Sequence, residues 1–345
     1  MKGVLLVNLG SPDSPEPKDV KVYLEEFLMD ERVIDFPKWA RTLLVKGIIL
    51  NTRPKKSAKA YSKIWWKEGS PLIVLTEKLR TEVQKKVSVP VAIAMRYGNP
   101  SLYTGLKNLA GQGVDEVLLV PLYPQFAMAT TETIIVLAEE LRNAHFPEMD
   151  FTILPPFYNH NDYIRVLSNS IQDSLKGVEW EHLIFSYHGV PERHIRKSDI
   201  TKSHCKINGT CCQTDSPAHQ LCYRHQCYNT TAAVAKYLEL KPEQFTTTFQ
   251  SRLGLDPWLQ PYTDKTIAQK AKQGVKKMAI VTPAFVSDCL ETLEEIGMEA
   301  VEDFEENGGE HLHVIPCIND REDWVLVMSR WIDQWALAQK ETVDA

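Results

Sequence analysis

The chain has 345 residues, a formal net charge of −6, 43% apolar and 24% charged residues and 7 cysteines. That is the balance of a soluble globular protein, and the length exceeds one ordinary core, so two domains of about 150 residues are expected. No apolar run approaches the ~18 residues of a membrane span, and Lys2 followed by the apolar run 4–7 reads as a first buried strand and not as a signal peptide, which points to the cytoplasm.

Apolar runs bounded by Pro, Gly or Asn predict strands at 4–9, 91–95, 117–123 and 151–154, and a second set at 183–187, 246–250, 278–282 and 312–315. Helix-length segments separate successive strands of each set, as parallel crossovers require. The sets echo one another: VLLVNLGSP resembles LIFSYHGVP, MRYGNP resembles QSRLGLDP, and GVDEVLLVP resembles GVKKMAIVTP. The expected fold class is α/β, with two similar domains that each hold a four-stranded parallel sheet flanked by helices. Pro155 and Pro156 mark the boundary, which puts the domains at 1–155 and 156–319, with a last helix in 320–345 returning to brace the first.

Between the first two strands, residues 36–67 hold no acidic residue and nine basic ones: Lys38, Arg41, Lys46, Arg53, Lys55, Lys56, Lys59, Lys63 and Lys67. Trp39, Leu43, Leu44, Val45, Ile48, Ile49 and Leu50 are interleaved with them. A solvated surface helix carries such lysines too, but the amphipathic pattern suits an anionic membrane surface or a large acidic apolar ligand. Nucleic acid is not expected, since stacking aromatics and glycine-rich loops do not accompany the charge.

In open parallel sheets the ligand lies beyond the carboxyl ends of the strands. Those ends carry Asn8, Leu9, Arg96, Tyr97, Tyr123 and Gln125 in the first set, and His188, Arg252, Trp258, Asp288 and Glu291 in the second. Neither G-x-G-x-x-G nor G-x-x-x-x-G-K-[ST] occurs, so no nucleotide is expected, and the hydrolase elbow G-x-S-x-G is missing too. The stretch FVSDCLETLEEIG (285–297) reads as a helix start directly after a strand, with Asp288 and Glu291 in a capping box. On a helix, Glu291, Glu295 and Glu299 stack at spacing four, either as a solvated acidic face or as a row that holds or passes a cation. His188 and Glu291 at neighbouring strand ends are, in outline, a site for a divalent transition metal.

Five of the cysteines, Cys205, Cys211, Cys212, Cys222 and Cys227, fall within 204–228 together with His204, His219 and His225. In a cytosolic chain reduced cysteines this dense bind metal more readily than they pair. No C-x-x-C is present, which weakens zinc and leaves room for an iron-sulfur cluster on four of the five. Adjacent Cys211 and Cys212 do not both reach one cluster with good geometry, so the spare is expected to be one of them. Cys289 and Cys317 read as packing residues.

Taken together, SYHGVP, FQSRLGLDPWLQPYTD, FVSDCLETLEEIG, MRYGNP and LYPQF, in this order-preserving arrangement over residues 2–335, resemble ferrochelatase, the class II chelatase family that inserts ferrous iron into protoporphyrin IX at the last step of haem synthesis. The resemblance implies two Rossmann-like domains facing across a porphyrin cleft, with 36–54 as a lip over its mouth that in some members touches the membrane. It makes His188 and Glu291 the active-site pair and ligands of Fe2+, the iron being substrate. It also sets Glu295 and Glu299 on the same, partly π-helical, helix as an iron path, and Leu9, Arg96, Tyr97, Tyr123 and Trp258 along the cleft. The 204–228 insertion resembles a bacterial subset that holds a two-iron two-sulfur cluster there. Two departures stand out: Cys289 replaces the histidine of the animal S-D-H motif, and Met128 replaces the cysteine that accompanies the animal cluster in the Y-P-Q segment.

Metallating a porphyrin requires stripping water from the ion, removing two pyrrole protons and exposing lone pairs that a flat ring hides. An imidazole at His188 can take a proton or ligate iron, the Glu291 carboxylate is a hard ligand or second relay, and Trp258, Tyr123 and Leu9 can grip and bend the ring. Arg53 and Lys55 are candidates for the propionates. Protoporphyrin IX or coproporphyrin III as substrate, a porphyrin or haem carrier instead of an enzyme, peripheral contact with the inner membrane, and the number of subunits all remain open at this stage.

Overall fold

Val-, Leu- and Ile-rich runs form β1 (Lys2–Ser11), β2 (Val91–Gly98), β3 (Glu116–Pro121), β4 (Asp150–Ile153), β5 (His182–His188), β6 (Phe245–Gln250), β7 (Lys277–Val281) and β8 (His311–Val314). The computed structural model describes residues 1–254 and 256–338. Two parallel sheets result, ordered β2-β1-β3-β4 and β6-β5-β7-β8. The orders are the same once β5–β8 are matched to β1–β4, which is the pairing the three sequence echoes make.

Two strand ends differ from expectation for local reasons. β1 runs on to Ser11, pairing Gly10 with Tyr97 and Ser11 with Gly98. Gly10 has φ +116°, and a Cβ there would lie 1.8 Å from Tyr97 O, so this crossing needs glycine. β3 stops at Pro121, which has no N–H to extend the pairing with β4 beyond Leu119 and Ile153, although Leu122 N still donates to Val7 O at 2.8 Å.

Alternation along the strands sorts the core into layers. Val4 and Leu6 of β1 join Leu183 and Phe185 of β5 in one cluster with Trp324, Met328 and Trp331 of the last helix, Glu322–Leu337. Leu5 and Val7 face the other way, into a cluster with Leu102 and Leu106. The two sheets therefore share an apolar layer, and the last helix fills it against helices Pro71–Gln84 and Asn161–Leu175. Lys2 secures that helix: its Nζ donates to Trp335 O at 3.1 Å, Ala336 O at 3.0 Å and Ala338 O at 2.7 Å, where helix carbonyls lack partners. The rest of the expected terminal segment, 339–345, lies outside the described residues. Among the described residues no helix is long and apolar enough to cross a membrane.

Candidate active site

The carboxyl ends of both sheets open into one cleft of about 1540 Å³, well above the ~300–1,000 Å³ of ordinary small-molecule pockets. β5 ends on His188, paired with Gln250 of β6. The chain then turns through Gly189, whose N–H donates to Gln250 O at 2.6 Å. A Cβ on Gly189 would lie 2.7 Å from Ser251 O and 2.8 Å from Gln250 O, so only glycine allows this approach. His188 Nδ1 is 2.7 Å from Gly189 O. Because a carbonyl only accepts, Nδ1 carries the proton and Nε2 keeps its lone pair for a metal or a proton. Trp258 is bridged to Pro191 across the same loop, and its indole N–H donates to Leu253 O at 2.9 Å.

Beyond β7, Asp288 does not close a capping box. Its carboxylate accepts from Asn319 Nδ2 at 2.7 Å and from Thr292 Oγ1 at 2.8 Å, tying the turn to the loop after β8. Glu291–Ala300 follows as a π-helix, with hydrogen bonds from i to i+5. Glu291 and Glu295 are half-buried and Glu299 is exposed, so the row leads from the cleft interior to water. Glu294, outside the spacing-four pattern, and Asp303, its next step after Glu299, line the cleft as well. Gln250 Nε2 donates to Glu291 O at 3.2 Å and Glu295 Oε2 at 3.4 Å, and Ser251 Oγ donates to the same Oε2 at 2.5 Å. Ser186 orients that amide by donating to Gln250 Oε1 at 2.8 Å. Burial pushes the Glu295 carboxyl up; the Ser251 hydroxyl and His188 draw it down, Glu291 adds to the rise, and the net direction is up.

The opposite wall comes from β1 and from helices. Asn8 Oδ1 accepts from Tyr123 Oη at 3.0 Å and from Leu9 N at 3.1 Å, which sets both Leu9 and Tyr123 in the wall. Tyr23 and Phe27 of helix Pro17–Leu28 and Tyr61 of helix Leu50–Ile64 stand beside them. These three escape a rule that looks only at strand ends. Arg96 and Tyr97 lie elsewhere than expected: neither lines the cleft. Arg96 Nη2 donates to Asp30 at 2.5 Å and Tyr97 Oη to the same carboxylate oxygen at 2.9 Å, while the Tyr97 ring is fully buried against Phe27. They support the wall from behind.

The basic stretch divides three ways. Arg41 is buried and donates to Ile34 O and Phe36 O, each at 3.1 Å, so it serves the fold and not an anionic partner. Lys46 pairs with Glu25 at 2.6 Å and Lys63 with Glu294 at 2.5 Å. Arg53, Lys56 and Lys59 line the cleft without a carboxylate partner among the described residues, whereas Lys55 does not line it. Trp39, Leu43 and Ile48 are 75%, 64% and 61% exposed and face out, while Leu44 and Ile49 turn into the cleft. At the root of this segment Asp35 joins the two halves, accepting from Arg193 Nε at 2.6 Å and pairing with Lys197. Burial alone would raise the Asp35 carboxyl, but hydrogen bonds from Lys197 and Arg193 outweigh it and hold it at about 2.

A family model described as ferrochelatase matches residues 1–335. A ferrochelatase of Stutzerimonas stutzeri is 47% identical over 326 residues, covering 94% of this chain and 95% of that protein. One of Opitutus terrae is 43% identical over 340 residues, covering 98% of each. The chain belongs to the ferrochelatase family. Among solved structures, SirB from Bacillus subtilis with Fe3+ overlays with a TM-score of 0.55 at 13% identity, covering 97% of this chain and 96% of that one. At that identity the likeness concerns the fold alone.

Outside the cleft, the insertion gathers its sulfurs. Cys222 lies within hydrogen-bonding reach of Cys205 and Cys212, and Cys212 within reach of Cys211. Contact with Cys222, then burial, raises the Cys212 thiol, and burial raises Cys205. Arg224 is buried with no carboxylate partner among the described residues; its Nη1 lies 3.4 Å from Cys212 Sγ and 3.9 Å from Cys211 Sγ. Cys227 sits in the core beside Tyr223, in the same apolar cluster as Cys205 and Cys222. His204 Nε2 and His219 Nε2 lie 2.7 and 3.0 Å from Cys211 O, and His219 stacks on His225 at 3.5 Å. Among the described residues no three His, Cys, Asp or Glu side chains are arranged around a single metal ion.

Removing the Ser251 hydroxyl removes one of the three influences, with His188 and the Gln250 amide, that lower the Glu295 carboxyl, so in Ser251→Ala that acid titrates at still higher pH. Infrared spectra of the protein with isotopically labelled glutamate should show the protonated carboxyl band persisting to higher pH than in the parent; an unmoved band contradicts the assignment.

Proposed function

We propose that the chain inserts ferrous iron into protoporphyrin IX to give protohaem, working at the cytoplasmic side of the inner membrane. The observation that carries the reading is the meeting of His188, with a free Nε2 lone pair, and the Glu291–Glu295–Glu299 row in one oversized aromatic cleft. In this reading Leu9, Tyr123 and Trp258 grip the macrocycle and bind it bent, at a strain of a few kcal/mol supplied by contacts on the rest of the ring. His188 accepts pyrrole protons or ligates the ion, Glu291 is the second ligand or relay, and Glu295 and Glu299 bring iron in from solvent. Two protein ligands leave the ion's other positions open to the pyrrole nitrogens, which suits iron in transit better than a closed site.

The choice among porphyrins rests on charge. Lys63, Arg193 and Arg252 of the cleft are committed to Glu294, Asp35 and Asp264. Arg53, Lys56 and Lys59 are uncommitted and lie on one helix, so carboxylates are favoured along one edge only. Protoporphyrin IX has its two propionates there, while coproporphyrin III carries four around the ring. His188→Ala should lower turnover by about 10²–10⁴-fold while porphyrin affinity stays within a few-fold. Anaerobic assays with ferrous iron and each porphyrin, read by loss of porphyrin fluorescence, test both points. Turnover retained in the variant, or none with either porphyrin, removes the reading and favours a carrier.

The exposed Trp39, Leu43 and Ile48 beside uncommitted cations support peripheral attachment to an anionic bilayer. Cosedimentation with phosphatidylglycerol vesicles should be strong at low salt, weak at high salt, and reduced by Trp39→Ser; salt-independent recovery in the supernatant contradicts it.

The insertion fits a two-iron two-sulfur cluster held by Cys205, Cys211, Cys212 and Cys222. A structural zinc needs four ligands on one centre, whereas two irons divide four thiolates between them. Such a group supplies a cross-link and a one-electron couple. Protein purified without oxygen should be brown; Cys222→Ser should bleach it and Cys227→Ser should not. Colourless protein with stoichiometric zinc, or with no metal, rejects the cluster.

A further inference from the structure

The helix Tyr223–Tyr237 begins directly after Cys222 and is wired to both the cysteine-rich segment and the catalytic strand end. Towards the segment, Gln226 Nε2 donates to His219 O at 3.2 Å and Gln220 O at 2.8 Å, and Arg224 reaches the Cys211 and Cys212 sulfurs. Towards the cleft, Gln226 Oε1 accepts from Phe126 N at 2.7 Å, Thr231 lies 2.9 Å from the Tyr187 hydroxyl, and Tyr223 donates to His188 O at 2.8 Å. Tyr223 is 6% exposed and lines the cleft behind the loop that Gly189 turns.

We propose that Tyr223 is a positioning residue, whose hydroxyl holds the His188 carbonyl and passes the order or disorder of the cysteine-rich segment to the imidazole. The geometry leaves little slack. Gly189 N is held by Gln250 O and Val190 O by Leu259 N at 3.1 Å, so Tyr223 completes the fixing of the turn from a third side. Its anchor is the first turn of a helix whose preceding residue is one of the four gathered cysteines. If those sulfurs lose their mutual contact, the N-terminal turn is freed, and the phenol is the first group to move with it.

The inference rests on His188 as the proton-accepting group, and its test separates the two. In the full chain without iron or porphyrin, Tyr223→Phe should speed backbone amide exchange at Gly189 and Val190 by about tenfold, the worth of one hydrogen bond, while the interior of β5 is unchanged. Cys205→Ser should do the same, and the double variant no more than either single one, since both act on one link. With substrates, kcat should fall about tenfold in Tyr223→Phe with the porphyrin KM within twofold. Should Cys205→Ser fail to fold, Arg224→Met, which takes the guanidinium away from the Cys211 and Cys212 sulfurs, takes its place. Unchanged exchange in Tyr223→Phe, or multiplying effects in the double variant, overturns the proposal. Faster exchange with full turnover in His188→Ala leaves the link standing and rejects the role of His188 instead.

Discussion

The contact between Gly189 N and Gln250 O at 2.6 Å is the point on which the cleft depends. It carries the β5–β6 ladder one bond past His188, so that His188 ends the strand at the cleft with its own Nδ1 used by the Gly189 carbonyl. The same turn lays Pro191 against Trp258, offers the His188 carbonyl to Tyr223, and puts Gln250 where its amide can reach the π-helix. A side chain on Gly189 would collide with two backbone oxygens, so the arrangement rests on the absence of a single methyl group.

Across the cleft the charges are separated by commitment more than by count. A net acidic chain would repel a dicarboxylate porphyrin if its cations were all paired with its own acids. Instead Lys63 and Arg193 knit the halves together through Glu294 and Asp35, and Arg53, Lys56 and Lys59 stay uncommitted on one helix. The acids of the neighbouring π-helix grade from half-buried Glu291 and Glu295 to exposed Glu299.

The cysteine-rich insertion is part of the same structure and not an appendage. Its helix braces the first-domain loop through Gln226 and Gln125 and the catalytic strand through Thr231 and Tyr223. That gives a physical reason for a short segment, poor in long apolar runs, to be ordered at all: its ends are fixed by the core, and Cys211 and Cys212 stand beside the buried Arg224 guanidinium.

The strands, their parallel pairing and their duplication were legible in the sequence, because period and flanking breakers are local and the two halves repeat them. His188 was legible as the last residue of a strand, and Glu291 as the first of a carboxylate row on the helix that follows β7. What the sequence could not show is set by distant partners. Arg96 looks like any strand-end cation until Asp30, far away in the chain, claims it, and Asp288 looks like a helix cap until Asn319 does. Lys56 and Lys59 replace Lys55 because only the helix decides which face meets the cleft, and Tyr23, Phe27 and Tyr61 reach the wall from helices that no strand-end rule inspects. Local chemistry named the groups; the long-range contacts chose which of them face the cleft.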